Sequence, residues 1–208
     1  ICDEARALIR TLCAAPDAAV HFLVGGTQTN MTVITALLAS YEAVIAAHTG
    51  HVNCHETGAI EATGHKVCTA YSPDGKVTPE MVESVLAIHA DGEEHMVAPK
   101  LVYISDTTEI GTVYTKAELT ALRQCCDAHD LLLFLDGARL GSALTSPEND
   151  LTLSDLAALT DVFTIGGTKN GALFGEAVIM TVPCDHFRWH IKQRGGMLAK
   201  GRLLGVQF

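Results

Sequence analysis

Basic residues are scarce in this sequence and nowhere form a run. Only 14 of the 208 residues are lysine or arginine, against 24 aspartates and glutamates, which leaves a formal net charge of -10. Partners such as nucleic acid or an anionic membrane need a cluster of positive charge, which this distribution does not supply. We therefore expect a small-molecule partner, with neither nucleic acid nor a membrane among the ligands.

Long apolar runs and paired cysteines are also missing. No apolar stretch approaches the roughly 20 residues of a membrane-spanning helix, and the opening ICDEARALIR lacks the arrangement of a signal peptide. The seven cysteines contain no Cys-x-x-Cys pair, so reduced thiols in the cytoplasm are the simplest account. Because the chain opens without methionine inside a predicted helix and closes on the helix-like GRLLGVQF, we expect a fragment of a longer polypeptide.

Short β-rich apolar runs alternate with segments of helical period, which is typical of a mostly parallel sheet covered by helices on both faces. Strands are predicted at 20–24, 43–47, 66–71, 100–105, 131–136, 161–166 and 176–182. Helices are predicted at 31–41, 78–90, 115–130 and 153–160, and in 183–208 with a break at Gly195-Gly196.

Two features refine this fold prediction. Thr78 before Pro79 and Thr115 before Glu118 are N-cap signals that fix two helix starts. The chain between Ile165 and Ala177 is too short for a crossover helix, so the strand at 176–182 should run antiparallel to at least one neighbour. The sequence therefore predicts an α/β fold, a three-layer α/β/α domain with a mixed seven-stranded sheet.

The first candidate site follows the first strand, where Gly25-Gly26-Thr27 leads into a helix. Free backbone N–H groups and the helix dipole at such a turn favour an anion. The turn lacks the Gly-Lys-Ser/Thr of a Walker loop and the pattern of a dinucleotide-binding turn, so nucleotide chemistry is disfavoured. A simple tight connection remains an alternative.

The second candidate is Asp136, which ends the apolar strand LLLFLD and therefore lies where open α/β sheets bind ligands. An aspartate there calls for a cationic partner. Arg139 in the same LDGAR motif could clamp a carboxylate through its planar guanidinium. The alternative is structural, with Asp136 capping the next turn and pairing with Arg139.

The third candidate is Lys169 in the glycine-rich segment GGTKNG, again at the end of an apolar strand. If Phe163 and Phe174 surround it, desolvation favours the neutral amine that reacts with an aldehyde. The alternative is a solvated loop lysine. Together, an anion-binding turn, a strand-end aspartate and a strand-end lysine are the groups needed to hold a phosphorylated pyridine aldehyde, pyridoxal 5'-phosphate.

These motifs carry a resemblance to a known family. The sequence resembles the threonine aldolase branch of the aromatic amino acid β-eliminating lyase family, whose members are fold-type I pyridoxal-phosphate enzymes. The resemblance runs in the family's order through GGTQTN, GHVNCHETGAIEATGHK, YISDTTEIGTVYT, LFLDGARLGSAL, DVFTIGGTKNGALFGEA and RGGMLAKGRLLG. It implies an aspartate aminotransferase-like large domain over residues 1–208, without the family's amino-terminal segment or carboxyl-terminal small domain.

The resemblance also implies residue roles and an activity. Gly26 and Thr27 would hold the cofactor phosphate, and His51 would stack on the pyridine ring and act in catalysis. The ring nitrogen would pair with Asp136, the substrate carboxylate with Arg139 and the cofactor aldehyde with Lys169; these roles are read from the family's motifs. The implied reaction is retro-aldol cleavage of L-threonine or L-allo-threonine to glycine and an aldehyde by a homo-oligomer with sites near its subunit interfaces.

Several alternatives stay open at this point. Cofactor residues alone do not choose between aldol cleavage, β-elimination and transamination, and a fragment could act only as an oligomerising module. Taken without the resemblance, His51 is an ordinary polar loop residue. Metal ligation by His48, His51 and His55 needs a helix that Gly50 and Asn53 disfavour, so no metal is expected. The family often has asparagine at Asp106, and an ionised carboxylate cannot replace an amide donor.

Overall fold

The computed structural model describes residues 1–90 and 93–208, and seven strands within those ranges form one sheet. The strands are β1 (Ala19–Leu23), β2 (Glu42–Ala47), β3 (Val67–Ala70), β4 (Ala98–Ser105), β5 (Leu132–Asp136), β6 (Val162–Gly166) and β7 (Glu176–Met180). Their order across the sheet is β1-β7-β6-β5-β4-β2-β3. Each strand lies within about two residues of its predicted position.

The helices of the described ranges cover this sheet. They are α1 (Cys2–Leu12), α2 (Gly26–Leu37), α3 (His51–Cys54), α4 (Pro79–His89), α5 (Lys116–Ala128), α6 (Leu140–Leu144), α7 (Leu153–Leu159), α8 (Phe187–Gln193) and α9 (Arg202–Gln207). No described helix is long and apolar enough to cross a membrane.

The two faces of the sheet carry separate hydrophobic clusters. Val44 and Ile45 of β2 belong to different clusters, because successive side chains of a strand point to opposite faces. Helices α1, α4, α5, α7 and α9 add buried residues to the cluster of Ile45, whereas α2 and α8 add theirs to the cluster of Val44. The predicted three-layer α/β/α arrangement is therefore confirmed.

Strand β7 makes the sheet mixed, as predicted. It pairs antiparallel with β1 on one side and with β6 on the other, whereas β2, β3, β4, β5 and β6 pair in parallel. Because β7 runs in the opposite direction, its first residue lies at the edge where β1 and β6 end. Side chains from all three strands can therefore meet at that edge.

The N-cap signals place two helix starts correctly. Thr115 accepts a hydrogen bond from the Glu118 N–H at 3.3 Å, and the Glu118 carboxylate accepts one from the Thr115 N–H at 2.8 Å. Thr78 Oγ1 accepts a hydrogen bond from the Met81 N–H at 3.4 Å and has Pro79 at the first helical position. Reciprocal bonds of this kind satisfy N–H groups that a helix start leaves unpaired.

Three helix predictions need correction. The helix predicted at 31–41 spans Gly26–Leu37: it begins five residues earlier, because the Thr29 N–H already bonds to the Gly25 carbonyl, and it ends four residues earlier. A one-turn helix exists at His51–Cys54, where the sequence disfavoured one; the Cys54 and Asn53 N–H groups both bond to the Gly50 carbonyl. The segment after β7 is interrupted over 194–201, well beyond the predicted glycine pair.

The loop after β5 packs closely on the end of β6. The Gly137 N–H donates to Thr164 Oγ1 at 2.8 Å, and the Gly166 N–H donates to the Gly137 carbonyl at 3.0 Å. A Cβ at Gly137 would lie 1.9 Å from the Thr164 carbonyl oxygen. This contact holds the residues after Asp136 against the strand that leads to Lys169.

Gly137→Ala should therefore lower the free energy of unfolding by about 1–3 kcal/mol, because the added methyl group collides with backbone atoms that cannot rotate away. Urea denaturation followed by circular dichroism measures the change. Gly25→Ser is the control, since a Cβ at Gly25 meets no atom within 4 Å and serine is a good N-cap. Equal losses in the two variants would contradict this account.

Candidate functional site

A pocket of about 230 Å³ opens at the edge of the sheet where β1, β5 and β6 end. Its walls come from the turn after β1, from α3, and from the segments that follow β5 and β6. The lining residues are Gly25, Gly26, Thr27, His51, Asp136, Ala138, Thr168, Lys169 and Glu176. The structure thus brings five of the predicted site residues into one pocket, and Arg139 is the one that does not line it.

The anion-binding turn forms the first wall. Gly25 is the N-cap of α2 with extended backbone and no side-chain cap, so Gly26 and Thr27 begin the helix with N–H groups free of side-chain acceptors. A Cβ at Gly25 would meet nothing within 4 Å, which shows that space is open beside the turn. An anion fits there because the helix start carries partial positive charge.

Asp136 is buried at the base of the pocket and is fully hydrogen-bonded on its inner side. Its Oδ2 accepts hydrogen bonds from Tyr103 Oη at 2.6 Å and from Asn30 Nδ2 at 3.0 Å, and its Oδ1 accepts one from the Ala138 N–H at 2.9 Å. Within the described ranges Asp136 forms no ion pair, so the alternative pairing with Arg139 is absent. The carboxylate is positioned for a cationic partner that the residues described by the structure do not supply.

His51 belongs to the same hydrogen-bond network through Glu56. The imidazole Nδ1 lies 2.8 Å from Glu56 Oε1, and the side chain of Glu56 is fully buried. Asn30 Nδ2 donates to that same oxygen at 2.7 Å as well as to Asp136. The hydrogen bond with Glu56 raises the pKa of His51, against the lowering effect of burial. Glu56 thereby fixes both the orientation of the ring and its basicity.

Sequence reasoning missed four polar residues of this site: Asn30, Glu56, Tyr103 and Glu176. Each of them is buried, and a buried polar group in an apolar strand or helix is a signal that can be read from sequence. Tyr103, for example, lies within the apolar strand KLVYIS, and burial raises the pKa of its hydroxyl well above the usual value. What the sequence does not show is that these residues meet across the sheet.

Lys169 lies in a loop that is held in place by hydrogen bonds to its own backbone carbonyl groups. The Gly167 N–H donates to the Gly175 carbonyl at 2.8 Å, and Asn170 Nδ2 donates to the Gly166 carbonyl at 2.7 Å. Phe163 and Phe174 do not enclose Lys169, so the structure agrees with the alternative of a solvated loop lysine. The lysine is exposed, because Phe163 points into the hydrophobic core and Phe174 packs against that core. Within residues 1–90 and 93–208 the amine of Lys169 forms no hydrogen bond, so it is free to react with a ligand in the pocket.

Arg139 follows the pocket without lining it. It is the N-cap residue of α6 and is half-buried. In the parts of the chain that the structure describes, its guanidinium makes no hydrogen bond or ion pair with protein. The side chain is therefore available to a ligand that extends beyond the pocket.

Of the three histidines considered for metal binding, His48 and His51 hydrogen-bond to separate protein groups, and the His55 ring centroid lies 5.5 Å from that of His51. His48 stacks on Tyr71 with ring centroids 4.8 Å apart, and its Nδ1 accepts a hydrogen bond from the Ser72 N–H. His51 is bonded to Glu56, as described above. Elsewhere in the described chain, Glu83 of α4, Cys125 of α5 and His129, which directly follows α5, form one group with metal-ligand spacing, and none of them lines the pocket.

Asp106 lies behind the pocket and does not line it. Its Oδ1 accepts a hydrogen bond from the Tyr114 N–H at 3.4 Å, and burial raises its pKa to about 7. At neutral pH the carboxyl therefore carries a proton for part of the time and can donate a hydrogen bond, as an asparagine would.

Comparisons with known proteins converge on one family. A family model described as beta-eliminating lyase matches residues 4–206. The chain is 36% identical over 211 residues to a low specificity L-threonine aldolase from Pseudomonas sp., with 98% of this chain and 58% of that protein covered. A solved structure of a Leishmania major threonine aldolase superposes with a TM-score of 0.96 at 57% identity, covering 99% of this chain and 60% of the other.

A more distant structure bears on the fold alone. An aspartate aminotransferase mutant from Thermus thermophilus superposes with a TM-score of 0.70 at 19% identity, covering 93% of this chain and 50% of the other. The predicted aspartate aminotransferase-like architecture is therefore confirmed. The chain spans about three-fifths of the length of the threonine aldolases it matches.

Replacing Glu56 by glutamine should lower the pKa of His51, because the substitution removes the negative charge and weakens the hydrogen bond that now stabilise the protonated ring. NMR titration of the His51 ring signals measures the change. Glu109→Gln is the matched control: Glu109 Oε1 accepts from the His51 backbone N–H at 3.1 Å, so an equal charge is removed from a contact that does not involve the ring. Equal shifts in both variants would argue against a specific role for Glu56.

Proposed function

Because the chain belongs to the beta-eliminating lyase family, we propose that it binds pyridoxal 5'-phosphate and cleaves β-hydroxy-α-amino acids, threonine first among them, to glycine and an aldehyde. In this proposal residues 1–208 form the cofactor-binding large domain. The Pseudomonas and Leishmania relatives are both named threonine aldolases, which supports the choice of reaction.

One observation carries the proposal: a single pocket joins an anion-binding turn, a buried aspartate without a cationic partner among the described residues, and a free lysine amine. These groups match the phosphate, ring nitrogen and aldehyde of the cofactor. The open space beside Gly25 supports the fit, since a ligand atom can take the place that a side chain would fill.

Each residue has a defined task in this scheme. Gly26 and Thr27 would hold the phosphate through the start of α2. Asp136 would pair with the ring nitrogen and keep it protonated, and Lys169 would bond the aldehyde carbon. When bound, pyridoxal phosphate supplies an electron sink for the negative charge that develops at the substrate Cα.

The protein also has to move a proton during cleavage. The substrate β-hydroxyl loses its proton as the Cα–Cβ bond breaks, so a base must lie near it. His51 lines the pocket, and its bond to Glu56 leaves Nε2 as the nitrogen that can take this proton, directly or through a water molecule. Arg139 would hold the substrate carboxylate through two of its guanidinium N–H groups.

A second candidate reaction is β-elimination, which the description of the family model favours. Both reactions need the same cofactor residues and differ in which bond of the substrate breaks. Product analysis separates them: glycine and acetaldehyde from threonine support the aldolase, whereas pyruvate and ammonia from serine or cysteine support elimination.

Lys169→Ala should abolish both the absorbance of covalently attached cofactor and the release of glycine from threonine. Borohydride reduction of the wild-type protein with pyridoxal phosphate, followed by peptide mapping, should mark Lys169. Lys192→Ala in α8 is the control and should retain both signals. Undiminished activity of Lys169→Ala, or label on another lysine, would refute the assignment.

Arg139→Gln should raise the KM for threonine by roughly tenfold or more and leave kcat within a few-fold, because it removes a contact made equally in the ground and transition states. Steady-state kinetics at several threonine concentrations measure both constants. Arg188→Gln, an exposed arginine of α8, controls for loss of one positive charge. An unchanged KM in Arg139→Gln would remove Arg139 from the substrate site.

A further inference from the structure

Glu176 is an acidic residue that lines the pocket in which the proposed function places an anionic ligand. It is the first residue of β7, and the sheet register pairs it with Leu23 of β1 and with Gly166 of β6. Leu23 lies two residues before Gly25 of the anion-binding turn, and Gly166 lies three residues before Lys169. The antiparallel direction of β7 therefore places Glu176 between the two halves of the pocket.

The side chain of Glu176 faces the turn and is not neutralised there. A Cβ built at Gly26 would lie 3.9 Å from Glu176 Oε1, which is its one contact within 4 Å apart from its chain neighbours and the helix's own backbone among the described residues. Glu176 is 4% exposed, and its Oε2 has no hydrogen-bond partner in the described chain. No described cation lies within ion-pair distance of the carboxyl group.

An ionised carboxyl group in this position would work against the site. It would repel a phosphate bound at the start of α2, and burying an unpaired charge is costly. A protonated carboxyl group has the opposite effect, because it has one O–H donor to offer to a phosphate oxygen. The position of Glu176 is thus compatible with an anion site only if the group carries its proton.

The surroundings favour the protonated form. Burial is the largest cause that raises the pKa of Glu176, the charge of Asp136 raises it further, and Lys169 lowers it, with a resulting value of about 8. The other titratable group that lines the pocket is His51. At neutral pH most of the Glu176 carboxyl groups are therefore protonated, and the donor is lost as the pH rises above about 8.

We propose that Glu176 is a further cofactor-binding residue, which stays protonated and donates a hydrogen bond to the phosphate group held at the Gly25–Thr27 turn. This inference rests on the proposed function, since it takes pyridoxal phosphate as the ligand. It assigns to β7 a role in the site that the three sequence motifs do not contain. It also makes the affinity for the phosphate group, and not only catalysis, depend on pH.

The direction in which the affinity changes with pH follows from the protonation of Glu176. Below a pH of about 8 the proton is already in place, and binding of the phosphate group is strongest. Above that pH a proton must be taken up before the hydrogen bond can form, so affinity falls by about tenfold between pH 7 and pH 9. Pyridoxal, which lacks the phosphate group, should not show this loss.

Calorimetric titration of the wild-type chain with pyridoxal phosphate and with pyridoxal, from pH 7 to pH 9, tests the proposal. The ratio of the two affinities isolates the phosphate contact, because titration of Lys169 and His51 affects both ligands. For the wild type this ratio should fall about tenfold over the range. At pH 9, in buffers of different ionisation enthalpy, binding of pyridoxal phosphate should take up nearly one proton more than binding of pyridoxal.

Two variants sharpen the test. Glu176→Gln keeps the shape and an N–H donor and has no proton to lose, so its affinity ratio should stay constant from pH 7 to pH 9 and its proton uptake should disappear. Glu176→Leu removes the donor, so its ratio at pH 7 should be on the order of tenfold below the wild-type ratio. Circular dichroism establishes that each variant is folded.

The outcomes separate this inference from the proposed function. A wild-type chain that binds pyridoxal phosphate with a pH-independent ratio, and without extra proton uptake, overturns the role of Glu176 and leaves the cofactor assignment intact. A Glu176→Leu variant that is folded and keeps the wild-type ratio does the same. If the wild-type chain binds neither ligand at any pH, the cofactor assignment fails, and the role of Glu176 fails with it.

Discussion

The buried carboxylate of Asp136 is the charge around which the site is arranged. A buried charge is costly unless donors surround it, and Asp136 has three: the hydroxyl of Tyr103, the amide of Asn30 and the backbone N–H of Ala138. These donors come from β4, from α2 and from the loop after β5. The carboxylate therefore ties three separate segments to one point, and the pocket inherits its shape from that arrangement.

Asn30 connects this charge to the rest of the site. Its amide nitrogen donates both to Asp136 and to Glu56, and Glu56 in turn holds His51. An amide with two protons suits this position, because it lies between two carboxylates that would otherwise repel each other. One hydrogen-bond network therefore joins Asp136, which is proposed to pair with the cofactor ring nitrogen, to His51, which is proposed to take the substrate proton.

The sequence was informative where a local pattern decides the structure. The strands, the capping box at Thr115 and the strand-end positions of Asp136 and Lys169 all follow from residues within a few positions of one another. The contacts of Asn30 were not predictable in the same way, since its bond to Asp136 joins residues 106 positions apart. The one-turn helix at His51 was missed because Gly50 lies outside it as the N-cap residue and so does not interrupt it, which the sequence does not show. The exposure of Lys169 likewise depends on where Phe163 packs, which no local pattern records.

The reversed strand β7 also fixes the distance between two parts of the site. It is inserted between β1 and β6, so the turn after β1 and the loop after β6 start two strand spacings apart, about 9–10 Å. A ligand that is bound at both ends must span that gap together with the side chain of Lys169. The lysine side chain is long and flexible, so it spans most of this gap and lets the anionic group and the reactive carbon of the ligand lie closer together than the two backbone segments. The separation of the two segments is thus set by backbone hydrogen bonding in the sheet and does not depend on the side chains that line the pocket.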